Sequence, residues 1–344
     1  MRHSFLLALA ASILVRADDI TPRIGLIEIY GARKVSLQKI RTAIAAKAGD
    51  PLPSQQGTEE RIEKLSGVLA SRVEAACCSD RNLILYIGVE ERASPHLEFH
   101  PASAGDVVLP ADLFENYQKL LENAEASIHG RNADEDLTNG YSLMADPASR
   151  ELQQNFLPAV EQNLALVDRV LRQSADPEQR AAAAYLLQYG PSGSRALKTV
   201  VDGLQYGLRD QDDEVRNSAI RALRAVMVGA KLHPDREIHI EPTWFVELMN
   251  SVVWSDRRNA SLALVNMTET RDPDTLQLIR ERALPSVIEM ARWHDLEHAL
   301  PAFILAGRLA GLDEQAIKTA WVGENRESVL KQALGQRAKH GNTH

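Results

Sequence analysis

The sequence predicts an α+β protein: a small β-α-α-β-β module over residues 20–92, then an all-α solenoid of repeated helices over 147–334. Three observations predict it. Two runs of strand-forming apolar residues, 24–30 and 83–89, bracket two stretches of helical periodicity. From Pro147 onward every stretch reads as helix, and three segments repeat one another without gaps. Aromatic residues make up only 5% of the chain while Ala and Leu abound, which suits closely packed helices better than a β-sandwich.

The first residues bear on compartment. Arg2 and His3 precede an almost unbroken apolar run over 5–14, and small residues follow, with Ala17 and Asp18 flanking the expected cleavage point. Basic start, apolar middle and small-residue end form the pattern of an export signal over 1–17. The run is shorter than the roughly 20 residues that cross a bilayer. The expectation is a periplasmic or secreted protein with no membrane insertion after signal removal. The net charge is −8, and losing Arg2 and Arg16 makes it −10. An acidic chain without a basic block does not suit nucleic acid, whose phosphates need clustered Lys and Arg. Cys77 and Cys78 are the only cysteines and are adjacent. Neighbours on a strand point to opposite faces, so they read as two small residues closing a strand, with a strained vicinal bridge as the other reading.

Within the module, 24–30 (IGLIEIY) reads as a strand ending at Gly31. Ser36 is placed to cap a helix carrying Leu37, Ile40, Ile44 and Ala45, which stops at Gly49-Asp50-Pro51. Thr58 is placed to cap a second helix with Ile62, Leu65, Val68, Leu69 and Val73 at helical spacing, ending near Arg72. A strand over 73–78 and the strong strand over 83–89 complete the order. Ile29-Tyr30-Gly31 with Val35-Ser36, Ala48-Gly49-Asp50-Pro51-Leu52, and the run from Leu85 to Glu91 resemble a POTRA domain, covering about a fifth of the chain. The resemblance implies a three-stranded sheet with two helices on one face. The family's Gly-aromatic turn after the second helix is absent here, and no barrel follows, so a barrel-assembly role is not implied. Open sheet edges take up extended peptides, which makes Leu85 and Ile87 candidate interface residues. Packing of the module on its own chain is the alternative.

Residues 93–146 read as linker and connecting helices. His96, Glu98 and His100 alternate as an exposed polar strand would, a weak metal pattern. A helix opens at Pro110-Ala111-Asp112 and runs to about His129-Gly130. His129 with Asp134, Glu135, Asp136 and Asp146 invites a hydrolase or metal-dependent enzyme of the envelope as the alternative function. The plainer account puts Asp134, Glu135 and Asp136 at a helix N-terminus and makes Asp146 an N-cap ahead of Pro147. No nucleophile elbow, zinc-helix, phosphate-loop or dinucleotide motif occurs. No catalytic, metal or cofactor residue is therefore expected.

In the repeats, Leu152, Phe156, Val160, Leu164, Val167, Val170 and Leu171 form one apolar stripe. Segments starting at Arg180, Arg216 and Arg257 then align, each with Ala three residues on and Leu seven residues on. A looser copy starts near Ala299. Asp212-Asp213-Glu214-Val215-Arg216, continued by Ala219 and Leu223, resembles the HEAT-repeat pattern, and the resemblance covers about half the chain. It implies stacked helix pairs whose long surface binds proteins. Arg180, Arg216 and Arg257 are expected to be structural, bonding acidic turns of adjacent repeats. Trp244, Phe245, Trp254 and Trp293 are expected in the core, with Trp244, Phe245 and Trp254 the anchors of an interface if exposed. Residues 282–298 read as a solvated helix end and turn, Trp321, Val329 and Leu330 as a capping helix, and 335–344 as a frayed tail. The whole chain resembles bacterial secreted HEAT-repeat proteins with an N-terminal POTRA-like domain. The resulting expectation is a non-catalytic cell-envelope scaffold or adaptor that binds a protein partner through the solenoid and a sheet edge.

Overall fold

The computed structural model describes residues 22–79, 82–130, 134–323 and 325–340. Strands β1 (Ile24–Tyr30), β2 (Val68–Ser79) and β3 (Asn82–Glu91) form one sheet in the order β1-β3-β2, with β1 parallel and β2 antiparallel to the central β3. Two helices, α1 (Leu37–Ile44) and α2 (Gln55–Glu63), lie between β1 and β2 in the chain. Alternation divides the sheet into two apolar faces. Ile40, Ile44 and Ile62 of the helices pack with Val73, Leu85, Ile87 and Val89 on one face. Tyr30, Ala76, Ile84 and Tyr86 on the other face belong to the core of the solenoid.

The β-α-α-β-β order matches the expected one, but three boundaries differ. The first helix ends at Ile44, because Ala45 turns left-handed (φ 54°) and Arg61 donates to the carbonyls of Ala43 and Ile44. Gly49 sits beyond that end, its N–H bonded to the Ile24 carbonyl. The second helix is capped by Ser54, which accepts from Gly57 N–H, while Thr58 lies inside it, fully buried. It stops at Glu63, and Val68 and Val73 are strand residues. Short apolar runs with β-branched residues satisfy both periodicities, and here burial against the sheet decided. The side chains of Cys77 and Cys78 lie outside the described residues.

After α3 (Ala111–Gly130) comes a short hairpin, β4 (Glu135–Asp136) with β5 (Leu143–Met144). Where a helix N-terminus was expected at Asp134, Glu135 and Asp136, the last two form a strand. The remaining elements are α4 (Pro147–Gln173), α5 (Pro177–Leu187), α6 (Ser194–Gly207), α7 (Asp213–Leu232), α8 (Thr243–Leu248), α9 (Trp254–Met267), α10 (Pro273–Arg282), α11 (Leu284–Ala291), α12 (Leu296–Leu309), α13 (Glu314–Val322) and α14 (Arg326–His340). Asp146, Asp176, Asp212, Asp272, Asp295 and Asp313 each cap a helix through the side chain, typically about 1 kcal/mol apiece. Helices α5, α7, α9 and α12 stack side by side as one layer, while α4 packs with α6, and α8 with α10, in the other. Ala183, Ala219 and Ala260 are fully buried, as are Leu187, Leu223 and Leu264. Small residues let the helices approach and the leucines fill the space between layers. The last helix continues to His340, and residues 341–344 of the segment expected to fray lie outside the described residues. No helix among the described residues is long and apolar enough to cross a membrane.

Candidate functional site

The three repeat arginines sit at the start of α5, α7 and α9 and reach across to the next repeat. Arg180 donates to both oxygens of Asp210 (2.8 and 2.9 Å) and to the Ser174 and Ala175 carbonyls. Arg216 makes the same fork to Asp256 (Nη2–Oδ2 2.7 Å) and donates to the Asp210 and Gln211 carbonyls. Arg257 donates to Glu289 and to the Ser251 carbonyl. Arg216 is 2% and Asp256 0% exposed at the side chain. The acids of this ladder are Asp210, Asp256 and Glu289. Asp176 and Asp212, the acids of the repeat turns, cap their own helices instead.

The module and the segment from Phe99 to Leu109 lie along this row of turns. Tyr30 stacks over the Arg257 guanidinium at 4.5 Å and Phe99 over that of Arg216 at 4.4 Å. From Phe99 the chain runs back over successively earlier repeats. His100 N–H donates to the Arg209 carbonyl, Gly105 exchanges bonds with Gln173 and Ala175, and Leu109 N–H donates to Gln179. Gly105 is required there, since a Cβ would stand 2.5 Å from the Gln173 oxygen. His96 bonds Glu90 and His100 stacks on Tyr206, so the alternating His-Glu-His segment does not converge on one point.

The module itself docks through its sheet. Tyr86 stacks on Trp254 (4.8 Å), meets Trp293 at 5.1 Å, and its hydroxyl lies 2.6 Å from His298 Nδ1. Burial pushes the Tyr86 hydroxyl well up and the His298 imidazole down, each toward its neutral form. Tyr30 donates to the Val252 carbonyl, and Gly31 N–H to Glu289. Glu28 accepts from His294 N–H, and Glu74 accepts from Trp254 N–H (2.5 Å), capping α9 from another part of the chain. Burial raises the Glu74 carboxyl to about 7.

This corrects two expectations. Residues 282–298 are solvated only in part: Arg282, Arg292, His294 and Glu297 are exposed, but α11 is largely buried and Glu289, His294 and His298 hold the module. Parts of both sheet edges are engaged by the chain's own groups. Glu63 and Glu59 accept from Ser71 and Val73 N–H on β2, and the 49–50 turn bonds the start of β1. Leu85 and Ile87 lie on the central strand, 2% and 0% exposed beneath α1 and α2, so they offer no partner a surface. Phe245 is fully buried, Trp254 stacks on Tyr86, and Trp244 is half-buried against Arg209 and Phe99. None of the five stands free as an anchor. The sequence carried one signal of the docked face: Glu28 and Glu74 interrupt the apolar alternation at positions that turn inward.

The acids of the enzyme alternative do not gather. Glu135 pairs with Arg221, Asp136 accepts from Thr138, and Asp146 caps α4. The His129 side chain, Ala17 and Asp18 lie outside the described residues. Among the described residues no group of three His, Cys, Asp or Glu could hold a metal.

An unencumbered surface lies at the other ends of α7 and α9. Met227, Ile238, Ile240, Met267 and Leu278 line an open groove of about 690 Å³, with His239, Glu241 and Asp274 on its rim.

By its own helices the chain is a helical-repeat protein carrying a small mixed α/β cap. No family model matches it, and no curated protein does. Among solved structures it is similar to an engineered protein of the Northeast Structural Genomics Consortium, with 22% identity, 54% of this chain, 49% of that one and a TM-score of 0.35. The chain thus spans about half the length of that protein. A designed armadillo repeat protein gives 17% identity, 64% of this chain, 99% of that one and a TM-score of 0.37. Another, solved in complex with the peptide (KR)4, gives 12%, 65%, 99% and 0.35.

Proposed function

We propose that this protein is a non-catalytic, protein-binding scaffold exported to the cell envelope, and that its partner binds the solenoid rather than the sheet. The observation that carries the reading is the contrast between its two ends. The turn edge, both sheet faces and parts of both sheet edges are engaged by the chain's own groups, whereas the Met227–Leu278 groove opens to solvent. Unbranched methionines adapt to a partner's side chains, and a groove of this size with an apolar floor and polar rim suits a polypeptide. Export rests on the pattern around Arg2, the 5–14 run and Ala17. The POTRA-like reading of the module is supported by its element order and by Gly31 at φ 81° after the first strand. The HEAT reading is supported by Arg216, which joins its repeat to the next.

Affinity capture from envelope extracts with the full mature chain tests this, set beside Met227→Glu and Leu278→Glu. A partner held by the native chain and lost by both variants is the expected result. Capture of no protein by any of the three would overturn the proposal.

A further inference from the structure

Away from the ladder, α7 and α9 carry a second set of arginines: Arg221, Arg224 and Arg258. Two of them have carboxylates. Arg221 donates to Glu135 at 2.7 Å, and Arg258 lies 3.8 Å from the largely exposed Glu297. Arg224 stands between them with no carboxylate in hydrogen-bonding contact, although Glu135 lines the same crevice. Its Nε is closed off from solvent, and no acceptor among the described residues takes any of its N–H groups. Arg224 is half-buried, with Nε enclosed and the Nη groups reaching solvent, and a charge drawn partly out of water without a partner carries a desolvation cost. Burial, and then the charges of Arg221 and Arg258, disfavour its protonated form, and the Glu135 carboxylate offsets this only in part.

Arg224 lines a crevice of about 40 Å³ with Glu135, Ser142, Tyr185, Gln188 and Arg221. A single water needs roughly 10–15 Å³ of such space, so the crevice takes about three heavy atoms, the size of a carboxylate. Walls that are polar apart from Leu137, and two arginines against the single carboxylate of Glu135, select an anion, and carboxylates are the groups that the neighbouring arginines already hold. Met227 follows Arg224 by three residues on the same helix and lines the apolar groove, and residues so spaced are neighbours on a helix surface.

We infer that Arg224, supported by Arg221 and Arg258, is the receptor for an acidic side chain of the partner polypeptide, next to the groove that takes its apolar residues. This rests on the scaffold reading above and specifies the partner's chemistry. The charge is retained for binding, not for stability.

The test uses the full mature chain and fluorescein-labelled triglutamate amide, with triglutamine amide as the uncharged counterpart, in low salt. Saturable binding of triglutamate is expected, at least tenfold tighter than triglutamine and weakened tenfold or more in Arg224→Gln. Arg224→Met is expected to melt no lower than the native chain. Equal affinity for the two peptides, unchanged affinity in Arg224→Gln, or a melting temperature several degrees lower in Arg224→Met would overturn the inference. Displacement by inorganic phosphate at equal concentration would overturn the choice of a carboxylate. A partner captured equally well by Arg224→Gln would refute this site and leave the scaffold standing. Triglutamate binding as expected, with no partner captured, would sustain the site and refute the scaffold.

Discussion

Glu74 shows how one residue couples the module to the solenoid. Its carboxylate caps α9 through Trp254 and Ser255 N–H, yet burial lifts its carboxyl to about 7. An acid whose folded pKa is raised binds its proton more tightly when folded. Its contribution is therefore fully present below about pH 4.5 and is lost as pH rises through 7. Over that window the native chain should lose up to about 3 kcal/mol relative to Glu74→Gln. Urea melts of both at pH 5 and pH 8 check this, the two curves lying furthest apart at pH 8. Gly88 is the other coupling residue. Facing the solenoid from the central strand, it would place a Cβ 1.8 Å from the Val252 carbonyl oxygen and 2.8 Å from the Tyr30 hydroxyl. Gly88→Ala must push the sheet off the 251–253 turn. A loss of about 1–3 kcal/mol or more is expected, read as a lower urea midpoint.

Between elements, the ladder is what turns a row of helices into a stack. Each arginine ties the start of its own helix to the carbonyls before it and to an acid of the next repeat. Removing one partner of the Arg216–Asp256 pair leaves the other charge buried and unpaired, a loss of about 3–5 kcal/mol. Arg216→Met and Asp256→Leu should each show it in denaturant melts. The double variant should be more stable than either single one, because no bare charge remains. If the double variant were the worst of the three, the pair would be stabilising in its own right.

At the scale of the whole molecule, the module and the linker through Leu109 complete the solenoid rather than append to it. Tyr30, Tyr86 and Phe99 cover Arg257, Trp254, Trp293 and Arg216. Deleting residues 18–92 would expose that aromatic face and strip the cap from α9. The shortened chain is expected to melt at least 10 °C below the full one and to aggregate, as calorimetry and size-exclusion chromatography would show. A shortened chain that stays monomeric and equally stable would mean the two parts are independent. Substitutions in the groove, which spare this junction, are therefore the better way to locate a partner.

Local patterns in the chain determined its elements. The strands at 24–30 and 83–89, the Asp-Pro starts of α4, α5 and α10, and the repeats marked by Arg180, Arg216 and Arg257 all follow from periodicity and caps acting within a few residues. Where α2 ends and β2 begins was not legible, because Val68 and Val73 suit either period until a core is chosen. Nor was the candidate site. Arg224 looks like any solvated arginine on a helix, and only the meeting of α7, the end of α5 and the β4–β5 hairpin encloses its Nε without an acceptor. Leu85 and Ile87 looked available because the sequence does not say which strand is a sheet's edge, and theirs is the central one. Tertiary structure alone put them beneath helices and gave Tyr86 to the solenoid. Local propensity acts along the chain, but which charge is matched, and which face is covered, depends on groups up to 266 residues apart.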